Sequence, residues 1–257
     1  MKLETGNGKL SSLNVGLFGG TFDPIHRGHL TVARAAQQRF QLGKILFVPA
    51  ATPPHKLKQP ITTYPHRYAM VSLAVQGEKS FVPSAIESPE ERGSTPSYSI
   101  DTVRRLKKQL KRSDRLFFLV GMDQFQDISK WREPEALLHE TEFIVMNRPG
   151  WSLGDVGASL PESLRPPTAV TKAMKHQPAT GDIVLKGATL HLLTDVSERI
   201  SATQIRRAAQ SGRKLDSLVG PAVAEYIRKT GLYRTKPSEG PSGMERKVSN
   251  TRSTKGR

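Results

Sequence analysis

"NVGLFGGTFDPIHRGHL", residues 14–30, decides how this chain is read. NVGLF (14–18) is a short apolar run with β-propensity that stops at Gly19-Gly20, the pattern of a buried strand. After Asp23-Pro24, IHRGHLTVARAAQQRF sets Leu30, Ala33 and Phe40 on one helical stripe. An Asp N-cap with Pro at the first helical position predicts a helix starting at Asp23-Pro24. Strand, glycine turn and helix therefore follow one another. Glycines let the backbone approach a ligand closely. The helix aims unpaired N–H groups and the positive end of its dipole at the same space. His26 and His29, three residues apart, share one helix face. A metal site, a phosphate cradle and an ordinary tight turn all use such parts. Zinc needs a third protein ligand, and none is positioned nearby by sequence. Paired imidazoles at the dipole end suit an anion, because each can donate to a phosphoryl oxygen.

The same alternation continues outward. KILFVPA (44–50) reads as a strand, PHRYAMVSLAVQ (65–76) as a helix, and FVPSAIE (81–87) as a strand weakened by Pro83. SYSIDTVRRLKKQL (97–110) is an amphipathic helix with a basic outer face, RLFFLVG (115–121) a core strand, and EFIVMNRPG (142–150) another. Residues 151–188 hold Pro, Gly and Ser without firm periodicity and are expected to be an irregular insertion. TLHLLTD (189–195) resumes a strand; ISATQIRRAAQSG (200–212) and PAVAEYIRKTGLY (221–233) are helices, each with a Gly at its end. The fold class predicted is α/β, a Rossmann-like, doubly wound and mostly parallel sheet with helices on both faces. Ligands in such sheets bind beyond the carboxyl ends of the strands, where the opening stretch lies.

The chain has 257 residues, no cysteine and a net charge of +16. Disulfides, thiolate nucleophiles and Cys-bound zinc are thereby excluded, and a reducing, cytoplasmic location is expected. No signal peptide is read in the first 15 residues, and no run reaches the ~18 apolar residues of a membrane span, so no membrane partner is expected. The charge favours anionic partners. Part of it sits in 234–257, with seven Lys/Arg against two Glu. That stretch reads as a disordered basic tail, with weak nucleic-acid contact as its sharper use, and 1–13 reads as a flexible leader. The domain is expected over 14–233. The sequence leaves oligomeric state open and is compatible with a homo-oligomer.

No P-loop motif and no G-x-G-x-x-G after the first strand occurs. "GGTFDPIHRGHL" does contain the H-x-G-H motif of the nucleotidyltransferase superfamily, and "ISATQIRR" is similar to its second signature, I-S-x-T-x-I-R. "FVPAATPPHK", "SYSIDT", "GMDQFQDISKW", "FIVMNRPG" and "PAVAEYIRKTGLY" together resemble the bacterial nicotinate-nucleotide adenylyltransferases over roughly 14–233, with 151–188 as a gap. The resemblance implies transfer of the adenylyl group of ATP to nicotinate mononucleotide, with Mg²⁺ held mostly by phosphates and water.

Residue roles follow from the same resemblance. Backbone at Gly19, Gly20, Thr21 and Phe22 would cradle phosphate, and His26 and His29 would contact the ATP phosphates and the transition state. Ser201, Thr203 and Arg206 would hold the β- and γ-phosphates, making His26, His29 and Arg206 the implied catalytic set. Gly121 and Asp123 would face the adenosine side or the shared centre. Thr21 and Lys56 would face the acceptor, Lys56 from the loop after the second strand. Trp131 would stack on the nicotinate ring, and Thr95 to Tyr98 would lead into a helix whose N–H groups take its carboxylate. Arg27, Met122 and Ala202 depart from the usual Asn, Ala and Ser; Met122 puts packing around the substrate in question. Two rivals stand beside this reading. One is a sister enzyme, a phosphopantetheine adenylyltransferase or a cytidylyltransferase. The other is a non-catalytic nucleic-acid-binding protein on the same fold.

Overall fold

The computed structural model describes residues 12–53, 60–93, 95–146, 150–194 and 200–234. Seven strands form one sheet: β1 (Asn14–Gly20), β2 (Lys44–Pro49), β3 (Phe81–Pro83), β4 (Arg115–Gly121), β5 (Glu142–Met146), β6 (Gly181–Leu185) and β7 (Ala188–Leu193). Their order is β3-β2-β1-β4-β5-β7-β6. All neighbours pair in parallel except β6 and β7.

The strands are nearly continuous apolar runs because both faces are covered. β4 shows how the period of two divides them. Phe117 and Leu119 enter one core cluster and Leu116, Phe118 and Val120 the other. Over the first face lie α1 (Arg27–Phe40), α2 (Tyr64–Ala74), α9 (Ala202–Gln210), α10 (Asp216–Val219) and α11 (Pro221–Thr230). Over the second lie α4 (Ser99–Gln109), α5 (Met122–Phe125), α6 (Pro134–Glu140) and α7 (Leu153–Ser159), and the short α3 (Pro89–Arg92) precedes α4 in the chain. Of the predicted stripe on α1, Leu30 and Ala33 are buried and Phe40 is packed against the first cluster.

Two expectations are corrected. The first concerns 151–188, which is not irregular: it holds α7, α8 (Thr168–Ala173) and the antiparallel strand β6. Its cohesion comes from local caps and close packing that hydrophobic periodicity does not report. Ser152 and Asp155 cap α7 reciprocally. Gly154 lets α7 meet α8 and the turn after it: a Cβ there would stand 2.7 Å from the Thr171 carbonyl oxygen and 2.9 Å from the Lys175 nitrogen. The second concerns Asp23-Pro24, which does not start α1. The helix begins at Arg27 with His26 as its N-cap, in extended conformation. The Asp23 carboxylate is occupied elsewhere, as described below. Lys56, the leader to residue 11 and the tail from 235 lie outside the described residues.

The topology places the site. From β1 the chain steps out to β2 and β3, then crosses to β4 on β1's other side and continues through β5 to β7. The carboxyl ends of β1 and β4 thus form the switch point, where neighbouring connections leave in opposite directions and open a crevice. β1 ends at Gly20 and β4 at Gly121.

Candidate active site

A cleft of about 300 Å³ opens at this switch point. Gly19, Gly20, Thr21, Phe22, His26 and His29 line it from the β1–α1 side. Gly121 and Asp123 line it from the end of β4, and Ser201 and Arg206 from α9. The two signature stretches, separated by most of the chain, therefore face one space. Thr203 joins them indirectly, its Oγ1 accepting from Arg206 Nη2 at 3.2 Å.

The glycines have distinct reasons. A Cβ on Gly19 or Gly121 would meet no protein atom within 4 Å, so each keeps cleft volume clear. A Cβ on Gly20 would stand 3.1 Å from the Phe22 ring. Phe22 itself has φ +48°, a left-handed conformation that costs a bulky residue energy. Its ring is buried against Phe18 and lies edge-on to His29 at 5.1 Å.

The two histidines are ordered by one another. Their rings stack with centroids 3.7 Å apart. The His26 N–H donates to His29 Nδ1 at 3.2 Å. His29 Nδ1 is thus an acceptor, which in the neutral ring places the proton on Nε2. A donor on the far side of the imidazole is what a phosphoryl oxygen needs. Among the described residues no group of three or more His, Asp or Glu is placed to hold a metal ion.

α1 and α9 both begin at this cleft, so two sets of helix N–H groups converge on it. Ser201 caps α9, its Oγ accepting from the Gln204 N–H at 3.2 Å. Arg206 is half-buried and donates from Nη1 to the Asp23 carbonyl at 2.7 Å, leaving other N–H groups of its fork for an anion.

Thr95, Tyr98 and Trp131 are not among the residues that line this cleft. Tyr98 is the N-cap of α4, and the Arg132 guanidinium sits 4.8 Å over its ring. Trp131 is half-buried and lies edge-on to Phe118 at 6.1 Å. The Ser97 N–H donates to the Thr52 carbonyl at 2.9 Å, which ties the start of α4 to the loop after β2. Met122, the departure from the usual Ala, is buried in the second core cluster and also lines the cleft.

A family model described as cytidylyltransferase-like matches residues 17–208. A probable nicotinate-nucleotide adenylyltransferase of Citrifermentans bemidjiense is 40% identical over 222 residues, covering 86% of this chain and 98% of the relative. The chain belongs to the cytidylyltransferase-like family, among the nicotinate-nucleotide adenylyltransferases. Another such relative, from Moorella thermoacetica, is 36% identical, covering 86% of this chain and 91% of the relative. The nicotinic acid mononucleotide adenylyltransferase of Plasmodium falciparum, solved in complex with NaAD, shares the fold. Its TM-score is 0.61 at 19% identity, with 86% of this chain and 97% of that one covered.

Three residues of this family member escaped the sequence reading. Arg67 is fully buried and donates to three carbonyls: Thr21 at 2.8 Å, Thr62 at 2.8 Å and Ala51 at 3.2 Å. It thereby ties the turn after β1 to the chain on either side of residues 54–59. Burial pulls its guanidinium down from the ordinary value, and Asp23 opposes the shift. Asp23 Oδ2 accepts from the Thr62 N–H at 3.1 Å and Oδ1 from the Tyr233 hydroxyl at 2.7 Å. Burial, and next the Asp23 carboxylate, push the Tyr233 phenol far above its usual range and keep it a donor. Arg67 stands in a helix whose pattern reads as ordinary packing. Pairs 39 and 210 residues apart in the chain leave no local trace.

Proposed function

We propose that this chain transfers the adenylyl group of ATP to nicotinate mononucleotide, giving nicotinate adenine dinucleotide and pyrophosphate. The observation that carries the reading is the convergence of His26, His29, Arg206 and two helix N-termini on one cleft at the switch point. The names of the relatives point to the same acceptor.

The nucleophile is a phosphate oxygen of the mononucleotide, already anionic, so no general base is required. It forms a bond to the α-phosphorus as the bond from that phosphorus to the bridging oxygen breaks. The electron pair leaves with pyrophosphate. Two anions must be brought together and held in line, and positioning can supply roughly 7–11 kcal/mol in the best cases. Gly19 and Gly20 admit the triphosphate close to the backbone. His29 Nε2–H and His26 donate to oxygens that gain charge. Arg206, Ser201 and Thr203 hold the β- and γ-phosphates, and Asp123 and Gly121 face the shared centre.

Asp123, which lines the cleft among cationic and N–H donors, would help to hold a magnesium ion bound chiefly by phosphates and water. Bound there, the ion supplies further neutralisation of phosphate charge. Trp131 and the start of α4 at Tyr98, with Thr95 before it, form the side that takes the nicotinate ring and its carboxylate. Lys56 reaches the acceptor phosphate.

The test is pyrophosphate release from ATP with different acceptors. Nicotinate mononucleotide is expected to turn over fastest, with nicotinamide mononucleotide slower and phosphopantetheine inert. Rapid turnover of phosphopantetheine without nicotinate mononucleotide turnover would falsify the reading.

A further inference from the structure

We propose that Tyr233 is a positioning residue for ATP, acting through Asp23 on Arg206. The inference rests on the reading above in one respect, that Arg206 meets the triphosphate. Tyr233 ends the stretch PAVAEYIRKTGLY, which resembles the family but lies beyond residues 17–208 that the family model matches. It follows α11 with φ +65°, a left-handed conformation.

A carboxylate buried like Asp23, 6% exposed, is stable only with its lone pairs satisfied. The Tyr233 hydroxyl takes one oxygen at 2.7 Å and the Thr62 N–H the other at 3.1 Å. Both oxygens held, the residue cannot rotate, so its backbone carbonyl is held as well. That carbonyl is the acceptor for Arg206 Nη1 at 2.7 Å. Arg206 Nη2 is held by Thr203 at 3.2 Å. The guanidinium plane is therefore set before any ligand arrives, and a planar fork gains most when its orientation is fixed in advance. Without the phenol, Asp23 Oδ1 is bare in a buried site, the turn at 22–24 relaxes, and Arg206 must be ordered by ATP itself.

A double-mutant cycle on the full chain decides the matter. The variants are Tyr233→Phe, Arg206→Ala and the two combined, with ATP affinity measured by calorimetry and folding by thermal unfolding. Tyr233→Phe should weaken ATP about tenfold, a figure equal to about 1.4 kcal/mol. In the Arg206→Ala background the same change should add less than twofold. Asp23→Asn, which turns an amide nitrogen toward the Thr62 N–H or the phenol, should behave alike and serves if Tyr233→Phe does not fold. Factors that multiply in the double variant, or ATP affinity within twofold in both single changes at Tyr233 and Asp23, overturn the proposal. A wild-type chain that binds ATP but leaves nicotinate mononucleotide unconverted refutes only the acceptor assignment, and the cycle still decides this inference. A wild-type chain that binds no ATP overturns both.

Discussion

Replacing Arg67 by Met removes the buried cation while keeping an unbranched side chain of similar reach. Three charge-assisted hydrogen bonds are lost, to Thr21, Ala51 and Thr62. Each is worth about 1.5–3 kcal/mol, so their sum is at most about 9. Relief from holding a charge away from water offsets part of that loss, which leaves about 3–5 kcal/mol, the usual cost of removing one partner from a buried network. For a domain of this size each kcal/mol moves the unfolding midpoint by about 2–4 °C, so Arg67→Met should lower it by about 6–20 °C. Arg67→Lys keeps the charge but not the fork, and should lose about half as much. Urea unfolding at neutral pH measures both, with the slope expected to stay constant. The KM for ATP in the Lys variant should rise, because the Thr21 carbonyl and the turn beside it lose their anchor. Destabilisation by Arg67→Met of under about 1 kcal/mol would refute the claim that this side chain holds the phosphate turn in place.

His29→Ala should lower kcat by about 10²–10³-fold, as loss of one preorganised donor does, while the unfolding midpoint moves little; near-normal turnover would contradict the role given to Nε2. Trp131→Ala should raise the KM for nicotinate mononucleotide about tenfold with the KM for ATP unchanged; equal effects on both would assign Trp131 to packing alone. Gly154→Ala should destabilise by about 1–3 kcal/mol, because its Cβ meets backbone of the α8 region, with kcat within twofold. Burial raises the Tyr64 phenol to about 12 and carries Tyr233 higher still. Raised folded-state values give stability that is fully present below the unfolded value near pH 10 and is lost as pH rises through the folded ones. The unfolding midpoint should therefore decline from about pH 10 upward, less steeply in Tyr233→Phe; parallel curves would contradict it.

The parallel sheet was legible because β1, β2, β4 and β5 are continuous apolar runs between helical stripes. The two halves of the cleft were legible because H-x-G-H and the Ser201–Arg206 stretch each combine a helix start with anion-binding side chains. Residues 151–188 were not, since short helices held by a Ser152–Asp155 cap and a glycine contact carry little periodicity. Asp23-Pro24 misled for a physical reason. Asp followed by Pro has the chemistry of a helix start, but this carboxylate serves Thr62 and Tyr233, and His26 takes the N-cap position. Arg67 and Tyr233 act across the fold, and such partners become visible only once β1, α2 and the chain after α11 are brought together.

The proposed reaction joins the α-phosphorus of ATP to nicotinate mononucleotide. ATP labelled at the α-phosphate, and separately at the γ-phosphate, tests it directly when each is incubated with the acceptor and the products are separated. The α-label is expected in nicotinate adenine dinucleotide and the γ-label in pyrophosphate, in equal amounts. An α-label that ends in AMP, or a γ-label released as inorganic phosphate with no dinucleotide formed, would contradict it.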